Sequence, residues 1–155
     1  PYFAPNRKLR DGLAAAARRG VDVTLLIGVG QFRIQDAVAH SFYPKLLKSG
    51  VRVVEYRRTQ LHGKVAVIDD EWATVGSSNW DGLSLFVNHE ANIIVRDLAF
   101  ARDLREQIEH AVRDGVTVRM EDYANIPWYQ RAWYGAAALI YKTVLRMITR
   151  GRYTE

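Results

Sequence analysis

A chain of 155 residues, 48% hydrophobic and 25% charged, has the composition of an ordinary globular protein and the length to bury a core, so one domain is the default. It contains no cysteine, which excludes disulfide frameworks and Cys-based zinc sites. The excess of 22 Lys and Arg over 17 Asp and Glu favours anionic partners such as phospholipid headgroups or nucleic acid. No run reaches the roughly 20 apolar residues of a membrane span.

The chain opens Pro1-Tyr2-Phe3-Ala4-Pro5, without an initiator Met or a signal-like apolar core, as expected of a segment of something longer. Asn6 is placed to cap a helix through Leu9, Leu13 and the Ala14 to Ala17 run, with Gly20 suited to the position after its end. Residues 21–27 read as a strand. Gly28 and Gly30 lead to a second helix carrying Ala37, Phe42, Leu46 and Leu47 and ending at Gly50, which Pro44 is expected to kink or divide. Residues 51–56, continuous in Val and aromatic character, predict a strand covered on both faces. Residues 61–68 and 72–75, separated by Asp69-Asp70-Glu71, predict a hairpin. Residues 91–95 supply another strand, and Asp97 caps a helix through Phe100, Leu104, Ile108 and Val112 that stops at Gly115. Strands and helices alternate, so the class is α/β: a layered mixed sheet flanked by helices.

The segment from Leu61 to Asp69, followed by Gly76-Ser77-Ser78-Asn79, gathers chemistry-bearing residues. Residues two apart on a strand share a face, so His62 and Lys64 point toward one ligand. The hairpin then returns Gly76, Ser77 and Asn79 toward His62, where small residues permit close approach of a phosphate to backbone N–H groups. An imidazole as nucleophile or proton donor, an ammonium on nonbridging oxygens and an orienting amide suit phosphoryl transfer. Glu90, just before the next strand, is a candidate partner for the far N–H of the imidazole. No metal or other cofactor is required, because Lys64 and the amide donors can stabilise the charge.

His62-x-Lys64 with Asp69 five residues after the lysine, then Gly76-Ser77-x-Asn79, resembles the signature motif of the phospholipase D superfamily; average residue usage puts a chance match on the order of one in a million. Glu55-Tyr56-Arg57-Arg58, Ala73-Thr74-Val75 before Gly76, and Asn88-His89-Glu90-Ala91-Asn92 are similar to stretches of bacterial cardiolipin synthases. Tyr2-Phe3-Ala4-Pro5 resembles the start of that family's second catalytic half, so the resemblance covers residues 1–115. It implies that His62 is a catalytic histidine with the acid and base role, that Lys64, Ser77 and Asn79 line the phosphate site, and that Glu90 orients the imidazole. Asp69 belongs to the motif and joins the candidate catalytic set, although its place favours shaping the turn. The family's enzymes carry two such motifs and pass through a phosphatidyl-histidine. This chain has one, with Trp80 where a smaller apolar residue often follows the Asn.

Aromatic and basic residues replace acidic ones after Pro127, which divides the chain into residues 1–126, the catalytic half-domain, and residues 127–155, an amphipathic tail. At about 100° per residue, Trp133, Ala137, Ile140, Val144, Met147 and Ile148 fall on one arc, with Arg131, Lys142, Arg146 and Arg150 opposite. That pattern suits the surface of an anionic bilayer or packing against another half of the enzyme. The expected partners are anionic phospholipids, in preference to nucleic acid, and either a missing amino-terminal half or a second copy of the chain. The expected place is the bacterial cell membrane, peripherally bound, and the expected reaction is phosphatidyl transfer from phosphatidylglycerol. The alternatives are a two-fold dimeric nuclease of the same superfamily and a noncatalytic membrane-binding module.

Overall fold

The computed structural model describes residues 3–149, and its first long element begins at the expected cap. Asn6 Oδ1 accepts from Leu9 N at 2.9 Å and opens α1 (Arg7–Arg18). This helix and α2 (Arg33–Lys48) end in the same way: Gly20 and Gly50 take φ of 92° and 87°, and Val21 N and Val51 N return to Ala16 O and Leu46 O at 3.2 and 3.1 Å. That closure needs a left-handed residue, which glycine supplies without a Cβ penalty. The preceding strand expectation is corrected here. Val21 is used by the helix cap, and β2 starts later, at Thr24–Gly28.

Pro44 neither breaks nor divides α2. Lacking an N–H, it leaves the His40 carbonyl without its helical donor, and the Tyr123 hydroxyl from α5 (Met120–Ala124) donates to that oxygen instead. The helix serves as the crossover between β2 and β3 (Arg52–Tyr56), which pair in parallel from Thr24↔Arg52 to Gly28↔Tyr56. Tyr43 and Leu46 of α2 and Val53 of β3 are sealed in the core. Val54 is equally buried, with α4 (Leu98–Arg113) also lying against β3, as the unbroken apolar run of this strand requires. Asp97 caps α4 by accepting from Phe100 N at 2.8 Å, and Gly115 follows, where any Cβ would overlap Val54 Cγ1.

The α/β class holds, but among the described residues the sheet is divided into three small ones. One adds β8 (Val116–Thr117) antiparallel to β3. The second is the antiparallel order β4 (Lys64–Ile68), β5 (Trp72–Gly76), β7 (Asn92–Arg96). The third pairs two-residue strands in parallel, β1 (Phe3–Ala4) with β6 (Trp80–Asp81). Trp80 therefore has a structural account: it lies opposite Phe3 and packs against the core.

The last helix, α6 (Trp128–Ile148), lies along α2 and buries Tyr134, Ala137, Ala138 and Leu145. Ala137, on the expected apolar arc, is thus buried. Trp133, Ile140, Val144, Met147 and Ile148 stay exposed, and Arg150 lies outside the described residues. No helix among the described residues is long and apolar enough to cross a membrane.

Candidate active site

Strand register brings the candidate residues to one end of the second sheet. Lys64 opens β4 opposite Gly76, the end of β5, and Gly76 in turn stands opposite Asn92, the start of β7. His62 precedes the strand and does not belong to it, contrary to the shared-face expectation. The two side chains still meet: Lys64 Nζ lies 2.9 Å from His62 Nε2 and donates to the His62 carbonyl oxygen, also at 2.9 Å. The lysine thus grips the histidine at both its ring and its backbone.

The loop carrying His62 leaves β3 through a buried anchor. Glu55 stands between His40 Nε2 at 3.0 Å and Arg57 Nη2 at 2.6 Å. Burial pushes its carboxyl up, but the bonds from His40 and Arg57 outweigh that and hold it below the usual range. Leu61, one residue before His62, rests on Gly28 so closely that a Cβ on Gly28 would stand 3.0 Å from Leu61 Cβ.

Across from His62, the Ser77 backbone N–H donates to Ala91 O and the Ser77 hydroxyl accepts from Ala91 N, each at 3.0 Å. The same hydroxyl donates to Glu90. Ser78 is braced to Asn92 twice, N to Oδ1 at 3.3 Å and Oγ from Nδ2 at 2.5 Å. Asn79 follows, half-buried, beside Trp80. Gly76 is small for a reason other than the expected one. A Cβ there would overlap Asn92 Oδ1 and stand 2.5 Å from the Ala91 carbonyl oxygen, so the glycine admits the neighbouring strand, not a ligand.

Glu90 accepts from Ser77 and, at 3.3 Å, from Asn88 Nδ2; among the described residues its hydrogen bonds do not reach the His62 ring. The Ser77 bond, with help from the Lys64 charge, holds its carboxyl below the ordinary value. Burial lowers the Lys64 ammonium, while the charges of Glu90 and Asp81 oppose the shift. Asp81 is the residue the sequence reading missed. It is buried, caps α3 (Gly82–Phe86) by accepting from Ser84 N at 2.8 Å, and is pushed up chiefly by burial. Its only signal in the sequence was an Asp ahead of a short apolar stretch.

Asp69 is not part of this cluster. It sits in the hairpin turn with φ 51°, at the opposite end of β4 from Lys64, and its carbonyl accepts from Arg105 of α4. A strand of five residues rises about 17 Å. That position favours the turn-shaping place over a direct part at the His62 end. Among the described residues no group of three His, Asp or Glu could hold a metal ion.

Small mixed sheets, helices on their faces and a His-Lys pair at a strand entrance define a phospholipase D-like fold. Its likeness to the crystal structure of a phospholipase D family member, Nuc from Salmonella typhimurium, has a TM-score of 0.64 over 76% of this chain and 78% of that one, at 24% identity. The family model described as "Cardiolipin synthase, PLD-like domain" matches residues 1–112, and the chain belongs to that family. Cardiolipin synthase B of Salmonella typhi is 43% identical over 134 residues, 86% of this chain and 32% of that protein. The cardiolipin synthase of Halalkalibacterium halodurans is 32% identical over 141 residues, 90% of this chain and 28% of that protein. The chain thus spans about a third of the length of the relatives it matches.

Proposed function

We propose that this chain supplies one of the two catalytic motifs of a cardiolipin-forming phosphatidyltransferase. The observation that carries the reading is the Lys64 Nζ to His62 Nε2 contact of 2.9 Å, which joins the two motif side chains at one point, in a member of this family. A histidine of the second motif attacks the phosphorus of phosphatidylglycerol. His62 enters this step as the imidazolium; glycerol leaves with its proton, and the phosphatidyl group stays on the attacking nitrogen. The terminal hydroxyl of a second phosphatidylglycerol then gives its proton to His62 and attacks the phosphohistidine, forming cardiolipin and restoring both rings. Lys64 and Asn79 hold the nonbridging oxygens, and Ser77, fixed by Glu90, lines the same side.

The second motif comes from another part of the polypeptide or from a second copy. Ile93 and Ile94 support such a docking: they are 67% and 70% exposed on β7, the edge strand of its sheet. The exposed arc of α6, from Trp133 to Met147, supports a peripheral place on an anionic bilayer. The test is to incubate the complete polypeptide with phosphatidylglycerol vesicles, with and without a chelator. One free glycerol per cardiolipin, unaffected by chelation, is the expected result. Failure to form cardiolipin, with cleavage of DNA in a parallel reaction, would overturn the reading.

A further inference from the structure

A helix-interior glycine is unfavourable relative to alanine unless packing demands it. Gly135 lies in the middle of α6, and a Cβ added there would meet nothing within 4 Å. Packing within the chain therefore does not explain it. The space it faces is a groove of about 470 Å³ between α2, α5 and α6, whose lining shares no residue with the His62 cluster. Pro44, Met120, Tyr123 and Tyr134 form apolar walls, with Lys48 and Arg131 also on the lining. No acidic residue lines it among the described residues.

The walls are preformed. Tyr134 stacks on the buried-side imidazole of His40 at 4.9 Å and 21°, and Tyr123 is fixed by its hydrogen bond to the His40 carbonyl. Arg131 is also held, donating to the carbonyls of Ala124 and Ile126 at 2.5 and 3.0 Å, which leaves other N–H groups of its guanidinium for a ligand. Lys48 stands exposed at the end of α2. An apolar trough of this volume with two cations and no acid fits an amphiphile with an anionic head.

We propose that this groove binds one acyl chain of an anionic phospholipid, with Lys48 and Arg131 taking the phosphate, as a second lipid site distinct from the His62 centre. The choice of phosphatidylglycerol as its lipid rests on the function proposed above; the groove itself does not. Gly135 keeps the trough open, and the Tyr123, Tyr134 and His40 cluster keeps its shape while empty.

The test uses the complete polypeptide on phosphatidylcholine vesicles containing phosphatidylglycerol with a photoreactive diazirine near one chain end. Peptides are mapped by mass spectrometry after irradiation, and cardiolipin formation is measured in the same samples. Label on peptides containing Tyr123 or Tyr134 is expected. Gly135→Phe should cut that label at least about tenfold, whereas Gly135→Ala, too small to fill the trough, should leave it. Lys48→Glu should lower labelling by the phosphatidylglycerol probe and spare labelling by a phosphatidylcholine probe. Unlabelled groove peptides in the parent, as when another part of the polypeptide covers the groove, would overturn the proposal, even with cardiolipin formed normally. So would undiminished label in Gly135→Phe. Should that variant fail to fold, equal label in Lys48→Glu and the parent overturns the assignment of the anionic head. Loss of cardiolipin formation with groove labelling intact would instead count against the function and leave the groove standing.

Discussion

Replacing Gly76 by alanine tests how the end of the second sheet builds the active site. The new Cβ stands 2.5 Å from Ala91 O, where such atoms keep at least 3.0 Å, so the backbone oxygen must retreat by about half an ångström. Asn92 Oδ1 must be displaced as well. Neither movement is free, because Ala91 O accepts from Ser77 N at 3.0 Å and Asn92 holds Ser78 through two hydrogen bonds. Overpacking at about 1–3 kcal/mol, with about 1 kcal/mol for weakened hydrogen bonds, gives a total near 2–4 kcal/mol. In a protein of this size that lowers Tm by roughly 5–15 °C. The shift also moves Ser77 and Asn79 relative to His62, and misplacement on the ångström scale costs up to about a hundredfold in turnover. Thermal unfolding of this chain followed by circular dichroism, with transfer assayed in the complete polypeptide well below the lowered Tm, reads both effects. A Gly76→Ala protein with parental Tm and turnover would refute the reasoning, since it would mean that β7 does not press on Gly76.

Further outcomes are expected at other points of the structure. Glu90→Gln removes a charge that raises the Lys64 pKa, so Lys64 loses its proton at lower pH and the alkaline limb of the pH–rate profile moves toward acid; an unmoved limb would separate the two residues. Tyr123→Phe leaves the His40 carbonyl without a donor and should cost about 1–3 kcal/mol in urea unfolding. The loss should shrink in a Pro44→Ala background, where the restored N–H can bond that oxygen; equal losses in both backgrounds would rule out the substitution of hydroxyl for amide. Trp133→Ser with Ile140→Ser should weaken binding to phosphatidylglycerol vesicles at every salt concentration, because the lost contact is apolar. Parental binding would assign that face to protein packing.

Local signals carried much of this structure. Asn6 and Asp97 act as caps because a short acceptor ahead of a helix meets the orphan N–H groups whatever surrounds it. Gly20 and Gly50 mark helix ends for an equally local reason. The His62-x-Lys64 pair and the return of Gly76 to Asn79 were legible because a hairpin fixes its own register. What escaped the sequence depends on distant partners. Two-residue strands such as Phe3–Ala4 and Trp80–Asp81 show no periodicity and exist only by pairing with each other. The burial of Asp81, the partnership of Glu90 with Ser77 and the burial of Ala137 are likewise tertiary outcomes. Pro44 misled because the donor that rescues its helix comes from Tyr123, far along the chain.

The central claim is that His62 moves the proton in phosphatidyl transfer. His62→Asn in the complete polypeptide keeps a polar side chain of similar reach on an exposed loop but cannot exchange that proton. Transfer from phosphatidylglycerol should fall by at least about a hundredfold, the low end for acid and base catalysis, while Tm and the circular dichroism spectrum stay at parental values. Near-parental turnover in a folded His62→Asn protein would contradict the account.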